Sequence, residues 1–321
     1  MKICILGAGG CFGTNTAGYL LSQGHDVFGI GRSPHKPKCF SLGIDYPYYA
    51  YHIHYELDYV LKLLDRERPE VIVNYAAQGE GAASFDPKDY WRFYETNTLG
   101  LVKLVGELQQ RDWLQRFIHI GTSELYGSVT APSKETDAFK PTSPYAASKA
   151  AFDMHLLAVA QRGFPMNIIR PSNCYCPGQQ LHRIIPKALI CGLAGRRLPL
   201  HGGGLARKSY LHATDLSRAI LRVIEAAPLG RTYNVGSDEP IGIQEVVARC
   251  AKAIRINFDD LVEMATERKG QDGCYWLDST KIKSLGWQQK IGWVEGLEGM
   301  VEWIKSYPEL LTMDTSYRMR A

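Results

Sequence analysis

The chain reads as an α/β protein built on a doubly wound parallel sheet, and two observations predict this. Short apolar strands without alternation, such as Lys2–Leu6 and residues 71–75, recur between helical stretches, the pattern of strands covered on both faces. The first of them runs directly into a glycine-rich turn, Gly7-Ala-Gly-Gly-Cys-Phe-Gly13, and then a helix.

The remaining elements follow in order. Residues 14–22 read as a helix and 27–30 as a second strand. Residues 57–66 are helical, and Pro69 leads into the strand 71–75. A long helix over 90–110, a strand over 117–120, a helix over 148–161 and a strand over 167–170 continue the alternation. After Arg170 the rhythm loosens, with prolines, glycines and one short helix over 185–193. Residues 215–225 return to helix and 232–235 to strand. Helix, loop and small strand then follow from Ile243, ending in an amphipathic helix over 294–305. The tail after Pro308 is expected to be loosely attached. This predicts a dinucleotide-binding part over 1–170, to which 211–236 return. A smaller, interleaved C-terminal lobe spans 171–210 and 237–321 and is expected to bind substrate.

Composition narrows the partners. The 321 residues are 45% hydrophobic and 22% charged, with a net charge of +4 and no basic stripe or tail. Nucleic acid is therefore a poor partner, and local arginines facing an anionic small molecule fit better. No apolar run approaches the ~20 residues of a membrane span. Eight scattered cysteines show no metal-binding spacing, so no metal is expected. With the first strand beginning at Lys2 and no leader expected, they point to a reducing, cytoplasmic setting.

The glycine turn carries the first chemical signal. Gly7, Gly10 and Gly13 recur every third residue. The first permits the tight turn, the second lets backbone approach a pyrophosphate, and the third lets helix and sheet pack closely. Free N–H groups at the helix start complete an anion site. This is the Rossmann-type arrangement for a nicotinamide dinucleotide. The second strand ends in Gly31-Arg32-Ser33, with no carboxylate for the ribose hydroxyls. Arg32, with Ser33 and Lys36, suits a 2′-phosphate, favouring NADP over NAD; the alternative is a surface arginine on a loop.

Tyr145-Ala-Ala-Ser-Lys149 carries the second signal. A spacing of four places phenol and amine on one helical face, where a cation makes the phenol a better base. Thr122, just past the strand 117–120, offers a hydroxyl at the ligand-facing edge of the sheet.

Several motifs follow one another in a familiar order. They are Gly7-x-x-Gly10-x-x-Gly13, Asn74-Tyr-Ala-Ala77, Ser84-Phe, Asn97, Tyr145-x-x-x-Lys149, Arg170-Pro171, Arg207-Lys-Ser-Tyr-Leu-His-Ala-Thr-Asp215 and Thr232-Tyr-Asn-Val-Gly236. Over nearly its whole length the chain resembles the extended short-chain dehydrogenases/reductases that modify nucleotide sugars. Gly121-Thr-Ser-Glu-Leu-Tyr-Gly127 resembles the Thr-Ser-Glu motif of GDP-mannose 4,6-dehydratases and of UDP-glucuronate decarboxylases, whereas glucose-type 4,6-dehydratases carry Asp at the position of Ser123.

The resemblance implies a nucleotide-sugar 4,6-dehydratase with tightly held, recycled NADP or NAD. Its alternatives are a C4 epimerase or a decarboxylase, with a non-catalytic dinucleotide-binding protein further off. It assigns catalysis to Thr122, Ser123, Glu124, Tyr145 and Lys149, with Glu124 removing the C5 proton or positioning a water. Cofactor contacts fall to Gly7, Gly10, Cys11, Phe12, Gly13, Arg32, Ser33, Glu56, Leu57, Ala76, Ala77, Gln78, Asn97, Tyr145, Lys149 and Arg170. The nucleoside-diphosphate sugar is assigned Ser84, Asn173, Pro199, His201, Arg207, Arg268 and Asp272. The segment Arg268-Lys-Gly-Gln-Asp272 departs from the family's Arg-Pro-Gly-His-Asp at two positions, and Gln78-Gly-Glu-Gly-Ala lacks the usual Ser-His-Val. A homodimer through the helices at 90–110 and 148–161 is also implied.

Overall fold

The computed structural model describes residues 1–34, 36–79, 82–266 and 273–316. Seven strands form its main sheet: β1 (Lys2–Leu6), β2 (Asp26–Gly31), β3 (Tyr48–Ala50), β4 (Val71–Asn74), β5 (Arg116–Ile120), β6 (Met166–Pro171) and β7 (Arg231–Val235). Their order is β7-β6-β5-β4-β1-β2-β3, and every pairing is parallel. Chain direction across the sheet reverses between β1 and β4. In such sheets the carboxyl ends at the reversal frame a crevice.

Alternate side chains explain why both faces are covered. Ile3 and Ile5 of β1 pack with Ala17 and Leu20 of the Cys11–Ser22 helix and with Leu216 and Ile220 of Ala213–Ala226. Cys4 and Leu6 point the other way, toward Leu64, Leu104 and Phe152 of the helices at Leu57–Glu67, Gly100–Leu108 and Pro144–Ala160. A sheet buried on both faces has no polar stripe, which is why its strands read as continuous apolar runs.

The C-terminal lobe has a separate apolar core. Helices Ile184–Leu193, Ile243–Ala253 and Trp293–Ser306 meet there, beside a parallel pair formed by Leu198–His201 and Val262–Ala265. A short helix from the first half, Lys38–Ser41, is pinned into this lobe, where Trp303 Nε1 donates to the Cys39 carbonyl at 2.6 Å.

Three features differ from the sequence reading. The long helix at 90–110 is helical in three pieces: Tyr90–Tyr94, a wide turn at Glu95–Leu99 and Gly100–Leu108. The wide turn carries Asn97, which is fully buried. Strand β3 was not expected, being only three residues long. The segment after Pro308 is docked rather than loose: Pro308–Leu311 forms a turn whose Leu310 is buried in the lobe's core. No helix among the described residues is long and apolar enough to cross a membrane. All eight thiols are free, six of them buried.

Candidate functional site

A cleft of about 1670 Å³ opens where the carboxyl ends of β1, β4 and β5 meet the C-terminal lobe. Its floor is the glycine turn. Gly7 has φ +79, and a Cβ there would stand 2.7 Å from the Ala76 nitrogen; at Gly13 it would stand 2.7 Å from the Gly7 carbonyl. Only glycine fits both places. Gly10 caps the Cys11–Ser22 helix, so the helix start faces the cleft beside Cys11, Phe12 and Gly13.

One rim is formed by Arg32, Ser33 and Lys36, with the Tyr48 hydroxyl donating to the Ser33 carbonyl at 2.7 Å. Glu56 and Leu57 do not line the cleft. They start the Leu57–Glu67 helix, and the Glu56 carboxylate accepts the His52 backbone N–H at 2.7 Å. The turn that follows β3 brings His52, Ile53 and His54 to the cleft in their place. Strand β3 is too short to show a pattern, so the register of this turn could not be read from sequence.

The opposite wall is Ala76, Ala77 and Gln78. Asn97 stands behind it. Its side chain accepts the Gln78 N–H at 2.7 Å and donates to the Gln78 carbonyl at 3.0 Å, so it shapes this loop rather than lining the cleft.

Thr122, Ser123 and Glu124 follow β5, and all three line the cleft. The Thr122 hydroxyl accepts the Glu124 N–H at 3.2 Å, which fixes the turn. Tyr145 and Lys149 face them from the start of the Pro144–Ala160 helix, capped by Ser143. Ser84 is buried and does not line the cleft; its hydroxyl accepts the Tyr145 backbone N–H at 3.1 Å. Lys149 is 2% exposed, and its Nζ donates to the Ile120 carbonyl at 2.7 Å. Burial pushes its pKa down to about 8, opposed in part by Asp153.

Arg170 is placed behind this group, outside the cleft. Its Nε donates to Asp153 at 2.8 Å and its Nη1 to the Tyr126 hydroxyl at 2.7 Å. His119 and Asp153 escaped the sequence reading because single residues in an apolar strand or helix carry no spacing signal, and Tyr126 was read only as part of the motif at 121–127.

At the lobe's side of the cleft stand Asn173, Pro199 and His201. Arg207 does not reach it; its guanidinium donates to the Pro240 carbonyl at 2.9 Å, and the next residue, Lys208, lines the cleft. Successive residues of an extended strand point to opposite sides, so a motif alone could not choose between them. Arg268 and Asp272 lie outside the described residues. Arg183 and Lys187 also line the cleft, as do Met313 to Ser316. The two cations, spaced four apart at the start of an apolar helix, were a signal that went unread. A helix start surrounded by Arg32, Lys36, Arg183, Lys187 and Lys208 suits ligands carrying several phosphates.

Comparison with known proteins agrees with this geometry. The model of the NAD dependent epimerase/dehydratase family matches residues 3–236. A trifunctional UDP-glucose 4,6-dehydratase/UDP-4-keto-6-deoxy-D-glucose 3,5-epimerase/UDP-4-keto-L-rhamnose-reductase of Arabidopsis thaliana is 31% identical over 257 residues, 78% of this chain and 38% of the plant protein. The chain thus spans well under half the length of that relative. The dTDP-D-glucose 4,6-dehydratase of Mus musculus is 31% identical over 254 residues, covering 77% of this chain and 71% of the mouse protein. Among solved structures, the dTDP-glucose 4,6-dehydratase of Bacillus anthracis with NAD superposes with a TM-score of 0.86 at 27% identity, covering 96% of this chain and 98% of that one. The Thermus thermophilus UDP-glucose 4-epimerase with NAD gives a TM-score of 0.86 at 25% identity, covering 96% and 100%.

Proposed function

The chain belongs to the NAD dependent epimerase/dehydratase family, and from that premise we propose that it is a nucleotide-sugar 4,6-dehydratase. The observation that carries the proposal is the placement of Glu124 in one cleft with Thr122, Tyr145 and Lys149. A carboxylate there supplies the second base that dehydration requires and simple C4 epimerisation does not. The dehydratase names of the mouse and Bacillus relatives support the same reading.

The glycine turn fits a dinucleotide, because glycine at Gly7 and Gly13 lets the turn close against the Ala76 and Ala8 backbone and so presents the helix start at Gly10 to a pyrophosphate. A nicotinamide dinucleotide held along Gly7, Gly10 and Gly13 would supply a hydride acceptor for C4 of the sugar and a hydride donor for C6. Tyr145 takes the O4 proton, with Thr122 holding that oxygen and Lys149 favouring the phenolate. Glu124 then removes the C5 proton, made acidic by the adjacent C4 carbonyl, and water leaves from C6. Ser123 is a poor acid, so Glu124 or a water next to it protonates the leaving hydroxyl. As hydride returns at C6, C5 regains a proton from solvent or an acid of the site and Tyr145 releases the one taken from O4, so the net change is loss of water without net oxidation.

Arg32, Ser33 and Lys36 at the cleft rim, with no carboxylate among them, support NADP as the cofactor. The Bacillus and Thermus structures hold NAD. Titration with both dinucleotides decides, and tighter binding of NAD reverses this part of the proposal. Asn173, Pro199, His201, Lys208 and Arg183 are proposed to receive the nucleoside diphosphate. Residues 1–170 with 211–236 then form the dinucleotide part, and 171–210 with 237–321 the substrate part.

Exposed Trp91, Leu99 and Met154 on the two long helical segments are proposed to pack against a second copy. Light scattering that returns 35.9 kDa would refute the dimer. The free, mostly buried thiols support a reducing, cytoplasmic setting.

The test is product mass after incubation with UDP-, dTDP- and GDP-hexoses and UDP-glucuronate. Loss of water without accumulation of reduced cofactor is expected. Unchanged mass with an inverted C4 would make the protein an epimerase, and loss of carbon dioxide a decarboxylase. Net stoichiometric reduction of cofactor would sink the whole reading.

A further inference from the structure

Behind the cleft, a chain of buried side chains fixes where a single proton sits. The Asn74 side-chain oxygen accepts the Ala76 N–H at 3.1 Å, so its amide nitrogen faces His119 Nδ1, 3.0 Å away. An amide nitrogen only donates, so Nδ1 must offer a lone pair and the imidazole proton must reside on Nε2. Burial also holds the ring neutral by pushing its pKa well below the ordinary value.

This Nε2–H has two neighbours. Lys149 Nζ is 3.3 Å away and Asp153 Oδ1 is 3.5 Å away. Asp153 Oδ1 is buried and has no other hydrogen-bond partner among the described residues; Oδ2 is taken by Arg170. An ammonium cannot accept a hydrogen bond, whereas an amine can. A charged Lys149 therefore leaves this N–H only Asp153 to donate to, whereas a neutral Lys149 is a second acceptor. His119, Asp153 and Asn74 do not line the cleft, so the network acts on Lys149 from behind.

We propose that His119, with its tautomer imposed by Asn74, is a positioning residue that governs the protonation of Lys149, offering that nitrogen a donor where a lone pair would lock it as an ammonium. The proposal rests on the reading of Lys149 as part of the catalytic group. It gives the site a lysine that can pass between charged and neutral states while Tyr145 gains and loses its proton.

Other groups near this pair are accounted for. Asp153 and Tyr145 come from the lysine's own helix, Arg170 from β6, and Glu124 and Tyr126 from the turn after β5. Strand β4 contributes only the uncharged Asn74 here, and the wide helical turn contributes Asn97, bonded to Ser148 at 3.0 Å. Asn74→Asp adds a carboxylate behind His119, whereas His119→Phe removes only a neutral ring and leaves every charged group of the wild type in place.

The test uses the full chain without ligand, its histidines labelled with ¹⁵N and its lysines with ¹³C at Cε. His119 should be neutral with its proton on Nε2 over about pH 6 to 10, and Lys149 should titrate near 8. Asn74→Asp supplies an acceptor that draws the imidazole proton to Nδ1 and turns a lone pair toward Lys149. Its midpoint should rise by about one unit or more, a tenfold change in the equilibrium. His119→Phe removes the donor and frees Asp153 Oδ1 for the ammonium, so the midpoint should rise there too, independently of how well Asn74→Asp folds. A wild-type proton on Nδ1, or an unmoved Lys149 midpoint in His119→Phe, would overturn the proposal. No sugar nucleotide is involved, so this result stands or falls apart from the dehydratase reading.

Discussion

The two halves of the molecule bury different things. Among the described residues, the charged side chains buried in the structure are Lys149, Asp153, Arg170 and Asp215, all in the part built around the main sheet. The C-terminal lobe buries Leu189, Val246, Met300, Trp303 and their apolar neighbours, and its cations stand at the surface or the cleft rim. A buried charge is costly to keep unless its partners are fixed. The sheet half thus holds its chemistry rigidly, while the lobe is held by contacts that tolerate exchange of rim residues. Under the proposed function, the first half carries the reaction and the second selects the nucleotide and sugar.

The largest effect that would sharpen this contrast concerns Arg170. Arg170→Met leaves Asp153 buried without its guanidinium partner. Breaking such a pair costs about 3–5 kcal/mol, read as a fall in unfolding free energy in urea. A loss below about 1 kcal/mol would show that the pair is not structural and would break the comparison.

The pH dependence of stability gives a somewhat smaller effect. Lys149 titrates near 8 in the fold and near 10.5 when unfolded. Between those values the unfolded chain binds more protons, so the lysine's contribution makes stability rise with pH across that window. The 2.5-unit difference corresponds to roughly 3 kcal/mol. Lys149→Met should flatten the wild-type curve between pH 8 and 10.5, and parallel curves for the two proteins would contradict the burial argument.

The smallest effect belongs to the lobe. Lys208→Ala should raise KM for the sugar nucleotide about tenfold with little change in melting, the loss of one charge-assisted contact. Arg207→Ala, on the outward side of the same strand, should leave KM within about twofold. Reversed effects would put the substrate on the other side of that strand.

The same contrast explains what could be read in advance. The turn from Gly7 to Gly13 and the pair Tyr145 and Lys149 were legible because backbone geometry and helical period impose fixed spacings. Glu56 and Leu57 stand outside the cleft because a three-residue edge strand precedes them and sets the register of the turn. Arg170 belongs to a recognisable motif, but its burial against Asp153 depends on packing between distant elements. In the lobe, Lys208 reaches the cleft from a two-residue strand and the segment at Met313 by a loop path, neither of which a periodicity records. The docking of Leu310 was missed for the same reason: four residues are too few to show an amphipathic pattern.

Glu124 is proposed as the base at C5, and rapid-mixing absorbance of the nicotinamide in Glu124→Gln probes that role. Tyr145, Lys149 and Thr122 remain in this variant, so hydride should still leave C4. Proton removal at C5 should then fail, with turnover falling about a hundred- to ten-thousand-fold. Reduced cofactor should therefore accumulate on the enzyme, and solvent deuterium should not enter C5. Tyr145→Phe, by contrast, should form no reduced cofactor. Near-wild-type turnover of Glu124→Gln, with deuterium still incorporated, would contradict the account and move the assignment to a C4 epimerase.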